Sequence, residues 1–141
     1  MAEKKYKIGY TTGVFDLFHI GHLNILRRAK EQCDYLIVGV TTDELCLQRK
    51  GKRPVVCEHD RMELVSAIRY VDRVVAQTDM DKRKAVLACH ADVVFVGSDW
   101  QGTPAWQQYE RELAEVGCGV VYFPHTEGVS SSLLRERLEA R

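Results

Sequence analysis

The feature that most restricts this chain is the uncharged run Tyr35-Leu-Ile-Val-Gly-Val-Thr41, rich in β-branched residues and lacking polar alternation. A strand with one wet face alternates apolar and polar residues, whereas a continuous apolar run suits a strand covered on both faces, as in a parallel sheet. The rest of the chain repeats the theme. Short apolar runs at 7–11, 72–76, 92–97 and 119–123 read as further strands. Between them lie segments with helical spacing. From Gly21 the apolar positions Leu23, Ile25, Leu26 and Ala29 alternate with Arg27, Arg28 and Lys30. Residues 59–70 form another such segment, with Leu64, Val65 and Ile68 expected inward and Met62 beside them. Others cover 82–90 and 103–116, the latter with Pro104 suited to a first turn. A last helix is expected from the Ser130–Ser132 region, where a serine can cap it, through Ala140.

Strands alternating with helices predict an α/β fold, an open parallel five-stranded sheet with right-handed crossovers and helices on both faces. The length of 141 residues fits one domain, 1–141, with no linker or repeat. In such sheets ligands collect beyond the carboxyl ends of the strands. The polar motifs of this chain all follow strands. The stretch Gln48–His59, with Arg49, Lys50, Lys52 and Arg53 around Gly51, is expected to be a long mobile loop.

Composition narrows the function classes. Lys+Arg and Asp+Glu both total 20, which argues against an extended basic surface for nucleic acid. No apolar run approaches a membrane span, and no apolar segment follows the charged start MAEKKYK, so no secretory signal is expected. The five cysteines are scattered with no CxxC, which points to reduced thiols in a cytoplasmic protein rather than a disulfide or zinc framework.

The most informative segment is Gly13-Val-Phe-Asp-Leu-Phe-His-Ile-Gly-His22. His19 and His22 flank Gly21 at a helix start, where free N–H groups and the helix dipole favour an anion. Two imidazoles three residues apart share a face, and Gly21 lets backbone approach a ligand. The arrangement suits a phosphate. A plain helix cap is the alternative. A zinc-protease helix would place the histidines four apart with a glutamate beside the first, which this chain lacks. A second anion cradle is expected at Pro124-His-Thr-Glu-Gly-Val-Ser-Ser-Ser132, where Gly128 allows a tight turn and three hydroxyls lead into a helix. A simple serine N-cap is the alternative there.

Gly13, Phe15, Asp16, His19, Gly21 and His22 resemble the HxGH signature of the nucleotidylyltransferase superfamily. Thr126, Glu127, Gly128 and Ser130 match the RTEGISTT signature of its cytidylyltransferases, with Val129, Ser131 and Ser132 as mild replacements. His125 departs from the arginine usual there. Gly97, Asp99, Trp100 and Gly102 resemble the GxDWxG segment of the enzymes that use glycerol 3-phosphate, and Arg69-Tyr-Val-Asp72 matches the same group.

The resemblance implies a Rossmann-like fold and transfer of CMP from CTP to a small phosphorylated acceptor, with release of pyrophosphate. The acceptor it favours is sn-glycerol 3-phosphate. Phosphoethanolamine, phosphocholine, a sugar or polyol phosphate, a phosphonate or FMN stay open, as does adenylyl transfer. A non-catalytic nucleotide sensor on the same fold is the reading from another class.

By resemblance, His19, His22, Lys50 and Lys52 are the catalytic candidates. Gly13, Val14, Phe15, Asp16, Gly21, Asp99 and residues His125 through Ser132 bind nucleotide together with the histidines and Lys52. Lys50, Arg83 and Trp100 meet the acceptor, although Trp100 also reads as core. Asp16 could position a metal or a histidine. Mg²⁺ is implied as the cofactor, held mainly by the triphosphate rather than by protein ligands. Arg69–Asp72 implies a homodimer contact, with a surface ion pair as its alternative.

Overall fold

The computed structural model describes residues 4–124 and 130–139. The five strands run β1 (Tyr6–Gly13), β2 (Cys33–Thr41), β3 (Arg73–Gln77), β4 (Val93–Gly97) and β5 (Gly119–Phe123). All pairings are parallel and the order is β3-β2-β1-β4-β5. The order reverses between β1 and β4. That switch point is where a parallel sheet opens a crevice at its carboxyl edge.

Helices α1 (Ile20–Gln32) and α3 (Glu58–Ser66) cover one face, α4 (Lys82–Cys89) and α5 (Pro104–Ala114) the other. The first core gathers Leu26, Ala29, Leu36, Val38, Val65 and Phe95. The second gathers Tyr10, Ile37, Val86, Val94, Trp106 and Leu113. β2 supplies both because its side chains alternate between two dry faces, which is why its sequence reads as one apolar run.

Local chemistry sets the helix ends. Asp81 and Thr103 accept from the backbone N–H of Lys84 and Trp106, capping α4 and α5. Pro104 opens α5, where its missing N–H costs nothing. Helix α6 (Ser131–Glu139) follows β5 and its loop.

Two expectations are corrected. Gln48–Lys50 belong to helix α2 (Asp43–Lys50), not to a loop. The Thr42 hydroxyl accepts from Leu45 N–H at its start, and Gly51 closes it at φ 72°, in the left-handed region that favours glycine. The segment with loop character is therefore 51–57. Leu64 is 52 % exposed, and the inward position near it is taken by Arg61, which is fully buried.

Arg61 is the internal fastening of this region. Its Nε donates to the Val56 carbonyl at 2.8 Å, and one Nη donates to the carbonyls of Val14 and Thr41, both at 2.7 Å. The other pairs with the Asp43 carboxylate at 2.6 Å. One guanidinium thus ties the loop after β1, the end of β2, the start of α2 and the segment before α3. A planar five-donor head does this where a lysine could not.

Candidate functional site

The chain leaves β1 at Gly13 and turns sharply before α1. A Cβ at Gly13 would lie 2.9 Å from the Phe15 ring, so only glycine lets that ring fold back and bury. Phe15 and Leu17 adopt φ 55° and 50° on either side of Asp16. Side chains rarely accept this conformation, and such residues cluster at functional sites. Between them Asp16 is driven inward to 3 % exposure.

The Asp16 carboxylate accepts from Val55 N–H at 2.8 Å and Val56 N–H at 2.9 Å, and Arg135 of α6 lies 3.3 Å from the same group. Its backbone carbonyl accepts from the Ser131 hydroxyl at 2.5 Å. Asp16 therefore joins three parts of the site: the turn after β1, the 51–57 loop and α6. These partners take up the oxygens that would otherwise be offered to a metal or a histidine. Among the described residues no three His, Cys, Asp or Glu side chains group as a cation site.

His19 caps α1. Its Nδ1 accepts from Gly21 N–H at 3.0 Å, and His22 Nδ1 accepts from His19 N–H at 3.2 Å. The reciprocal pair is a capping box with imidazoles in place of hydroxyl and carboxylate. It has a chemical consequence. With each Nδ1 acting as acceptor, each neutral ring carries its proton on Nε2, so both can donate there. The rings stack with centroids 3.9 Å apart. Burial holds the His22 imidazole down at about 4, helped by His19 beside it and opposed by Asp16. His22 is a neutral donor near neutral pH, and an arriving phosphate would favour its protonated form. The cap reading is met by these two rings, and the cap leaves their Nε2 atoms as the donors.

A cleft of about 300 Å³ opens at the carboxyl edge of the sheet. Val14, Phe15, Asp16 and His22 form one wall, Lys50, Lys52, Arg53 and Pro54 another, and Ser130, Ser131, Ser132 and Arg135 a third. The Ser130 hydroxyl accepts from Leu133 N–H at 3.0 Å, so it also caps α6. His22, from the segment after β1, and Ser130–Ser132, from the start of α6, both line this space. His125, Thr126, Glu127, Gly128 and Val129 lie outside the described residues.

The acceptor candidates fare differently. Arg83 is not brought to the cleft; it forms an ion pair with Glu115 of α5 at 3.2 Å. Its neighbour Lys82 turns inward instead, 4 % exposed, and its ammonium donates to the Thr12 hydroxyl at 2.9 Å at the end of β1. The ammonium also lies 5.7 Å from the Trp106 ring centroid. Burial pushes Lys82 down to about 8, with Arg49 nearby adding to the shift. Trp100 is 54 % exposed, in a short 3₁₀ turn (Ser98–Trp100) after β4, which removes its reading as core. Asp99 lies in the same turn, at the same edge of the sheet.

Arg69 and Asp72 do not pair with each other. Asp72 binds Lys30 at 2.6 Å and accepts from Leu36 N–H, whereas Arg69 lies against the Tyr70 ring. Sequence reasoning missed Arg61, Lys82 and Arg135. Arg61 and Lys82 each precede a buried valine by four residues, Val65 and Val86, and that shared helical face is a signal the sequence does contain.

Known proteins match this arrangement. The family model described as cytidylyltransferase-like covers residues 10–137. Glycerol-3-phosphate cytidylyltransferase of Bacillus subtilis (strain 168) is 37 % identical over 129 residues, 91 % of this chain and 94 % of that protein. The corresponding Staphylococcus aureus protein is 36 % identical over 91 % of this chain and 92 % of its own length. FAD synthase of Thermococcus sibiricus is 32 % identical over 89 % and 85 %. Among solved structures, the lipopolysaccharide core biosynthesis protein of Thermoplasma volcanium superposes with a TM-score of 0.71 at 28 % identity, covering 86 % of this chain and 97 % of that one. With its family model spanning nearly the whole chain and relatives of this identity and coverage, the protein belongs to the cytidylyltransferase-like family.

Proposed function

We propose that the protein transfers CMP from CTP to sn-glycerol 3-phosphate, giving CDP-glycerol and pyrophosphate. The observation that carries this is one cleft at the strand ends lined by His22, Lys50, Lys52 and Ser130–Ser132, two anion-binding chain ends around a single space. The B. subtilis and S. aureus relatives carry the name of that reaction.

The triphosphate lies between the start of α1 and the start of α6. The Nε2–H groups of His19 and His22 donate to phosphate oxygens as charge builds on them. Lys50, at the end of α2, together with Lys52 and Arg53 of the 51–57 loop, balances the charge of the leaving pyrophosphate. A Mg²⁺ ion, held mainly by the triphosphate rather than by protein ligands, would supply further neutralisation of its charge. An acceptor phosphate oxygen attacks the α-phosphorus in line and the bond to the β-phosphate oxygen breaks. No general base is required, because a phosphate dianion is already a nucleophile. We assign the acceptor's phosphate to Lys82 in place of Arg83, with Trp100 at the same edge. A homodimer using the Arg69–Asp72 region belongs to the same reading.

Incubating the protein with CTP or ATP and a panel of acceptors, and measuring pyrophosphate release, tests it. Release that needs both CTP and glycerol 3-phosphate is expected. Release only with ATP and FMN would replace it with the second reading, which the 32 % identity to FAD synthase favours. Nucleotide binding without release across the whole panel would make the protein a sensor.

A further inference from the structure

A second cavity, of about 220 Å³, lies between α4 and the edge strand β3. Strand register explains how it arises. Tyr10, Ile37 and Arg73 form one row across β1, β2 and β3, and Thr12, Gly39 and Val75 form the next row on the same face. Gly39 leaves a gap in that second row. The Tyr10 phenol leans into it so closely that a Cβ on Gly39 would lie 2.5 Å from the hydroxyl oxygen. Small side chains on α4, Ala85 and Ala88, leave the space above it open.

Tyr10 is 2 % exposed, yet its hydroxyl makes no hydrogen bond among the described residues and opens into this cavity. No fully buried side-chain polar atom among the described residues lacks a partner, so this hydroxyl is reachable from the cavity and can donate to a ligand there. Burial pushes the phenol's pKa upward, with Cys89 and Asp79 adding to the shift, so it remains a donor. Arg73, on the same row, makes no ion pair among the described residues. Elsewhere on its wall Lys84 pairs with Asp79 at 3.5 Å, while Asp81 accepts from the neutral backbone N–H of Lys84 and keeps its charge. The cavity therefore offers a hydroxyl donor and a cation, an apolar wall along its length, and, beyond the Lys84–Asp79 pair, the further carboxylate of Asp81.

We propose that this cavity is a second ligand site that takes a small organic carboxylate. The Tyr10 hydroxyl and the Arg73 guanidinium hold the carboxylate, and Val75, Ala85 and Ala88 cover its hydrocarbon body. A planar monoanion matches the guanidinium fork, whereas a phosphate dianion would bring its second charge toward Asp79 and Asp81. The volume, below that of a drug-sized pocket, limits the ligand to a small one. The site is separate from the nucleotide cleft, and the inference does not rest on the proposed reaction.

Benzoate is a suitable probe, titrated into the isotope-labelled full chain while backbone amide shifts are followed. Saturable shifts at Val75, Ala85 and Ala88 are expected, with a Kd in the range of about 1 mM. Tyr10→Phe, which keeps the ring and removes only the hydroxyl, should weaken binding about fivefold. Arg73→Gln should weaken it about tenfold. Benzyl alcohol should not saturate, and excess CTP should leave the benzoate shifts in place. No saturation by about 10 mM benzoate, wild-type affinity in either variant, or displacement by CTP would each overturn the assignment, the first leaving a cavity that holds water only.

Discussion

The imidazoles of His19 and His22 lie stacked at 23° with their centroids 3.9 Å apart, each with its Nδ1 engaged by a backbone N–H at the start of α1. One motif therefore supports the helix and presents two donors. Mutations that separate the two jobs are informative. His19→Ala and His22→Ala should each lower turnover by about 10²-fold or more, the scale of one lost transition-state donor. His19→Asn should lower turnover equally while keeping the melting temperature, because asparagine is a good N-cap. Near-normal turnover in His19→Asn would reduce the ring to a cap.

Acidification probes His22 differently. Its folded pKa of about 4 lies below the ordinary histidine value, so the unfolded chain binds the extra proton first. Stability from this group is complete above about pH 6.5 and is lost as pH falls toward 4. Denaturant unfolding of the wild type and of His22→Gln between pH 7 and 4 should show a shallower pH slope in the variant. Parallel slopes would mean that the ring is solvated in solution.

Lys82 gives a basic-side signature. Its folded pKa of about 8 means that the ammonium is progressively neutralised as pH rises through that value. The KM for glycerol 3-phosphate should rise above pH 8, and Lys82→Met should raise it about tenfold at pH 7 with little change in the KM for CTP. The same variant should be more stable than wild type at pH 7, since the cost of burying the charged amine is complete below about pH 8 and fades only as pH rises toward the ordinary lysine value of 10.5. Arg83→Ala should change both constants within about twofold, as expected of an exposed ion pair. A larger acceptor effect from Arg83 than from Lys82 would reverse the assignment.

Asp16 links the 51–57 loop to α6 through its carboxylate and carbonyl. Asp16→Asn keeps the shape but removes the negative charge and turns one acceptor oxygen into a donor. A loss of about 1–3 kcal/mol in stability is expected, together with faster proteolysis within residues 51–57. Unchanged cleavage there would show that the loop is held by other contacts, Arg61 above all.

The fold was legible because both faces of the sheet are dry, so that strands announced themselves as apolar runs and helices as 3.6-residue patterns. α2 was not legible. Only Leu45 and Cys46 are buried in it, and its remaining charges read as a loop. The cleft was legible as two motifs at opposite ends of the chain. Lys82 and Arg83 were harder to separate, because adjacent helical residues point about 100° apart and composition cannot choose between them. The phase set by Val86 decides it. Asp16 carried no sign that its oxygens would be taken by amides of Val55 and Val56, since those contacts arise only once the loop has folded over it.

The contact between Asp16 and Ser131 spans 115 residues, and β1 pairs with β4 only after the chain between them is in place. During synthesis the N-terminal strand can join β2 early, but the crevice lacks its third wall until α6 emerges. Nascent chains should thus acquire most of their sheet before they can retain a nucleotide, and assembly governed by such distant pairings is intrinsically slow. A newly made molecule becomes competent for its ligand in the last step of its folding rather than gradually.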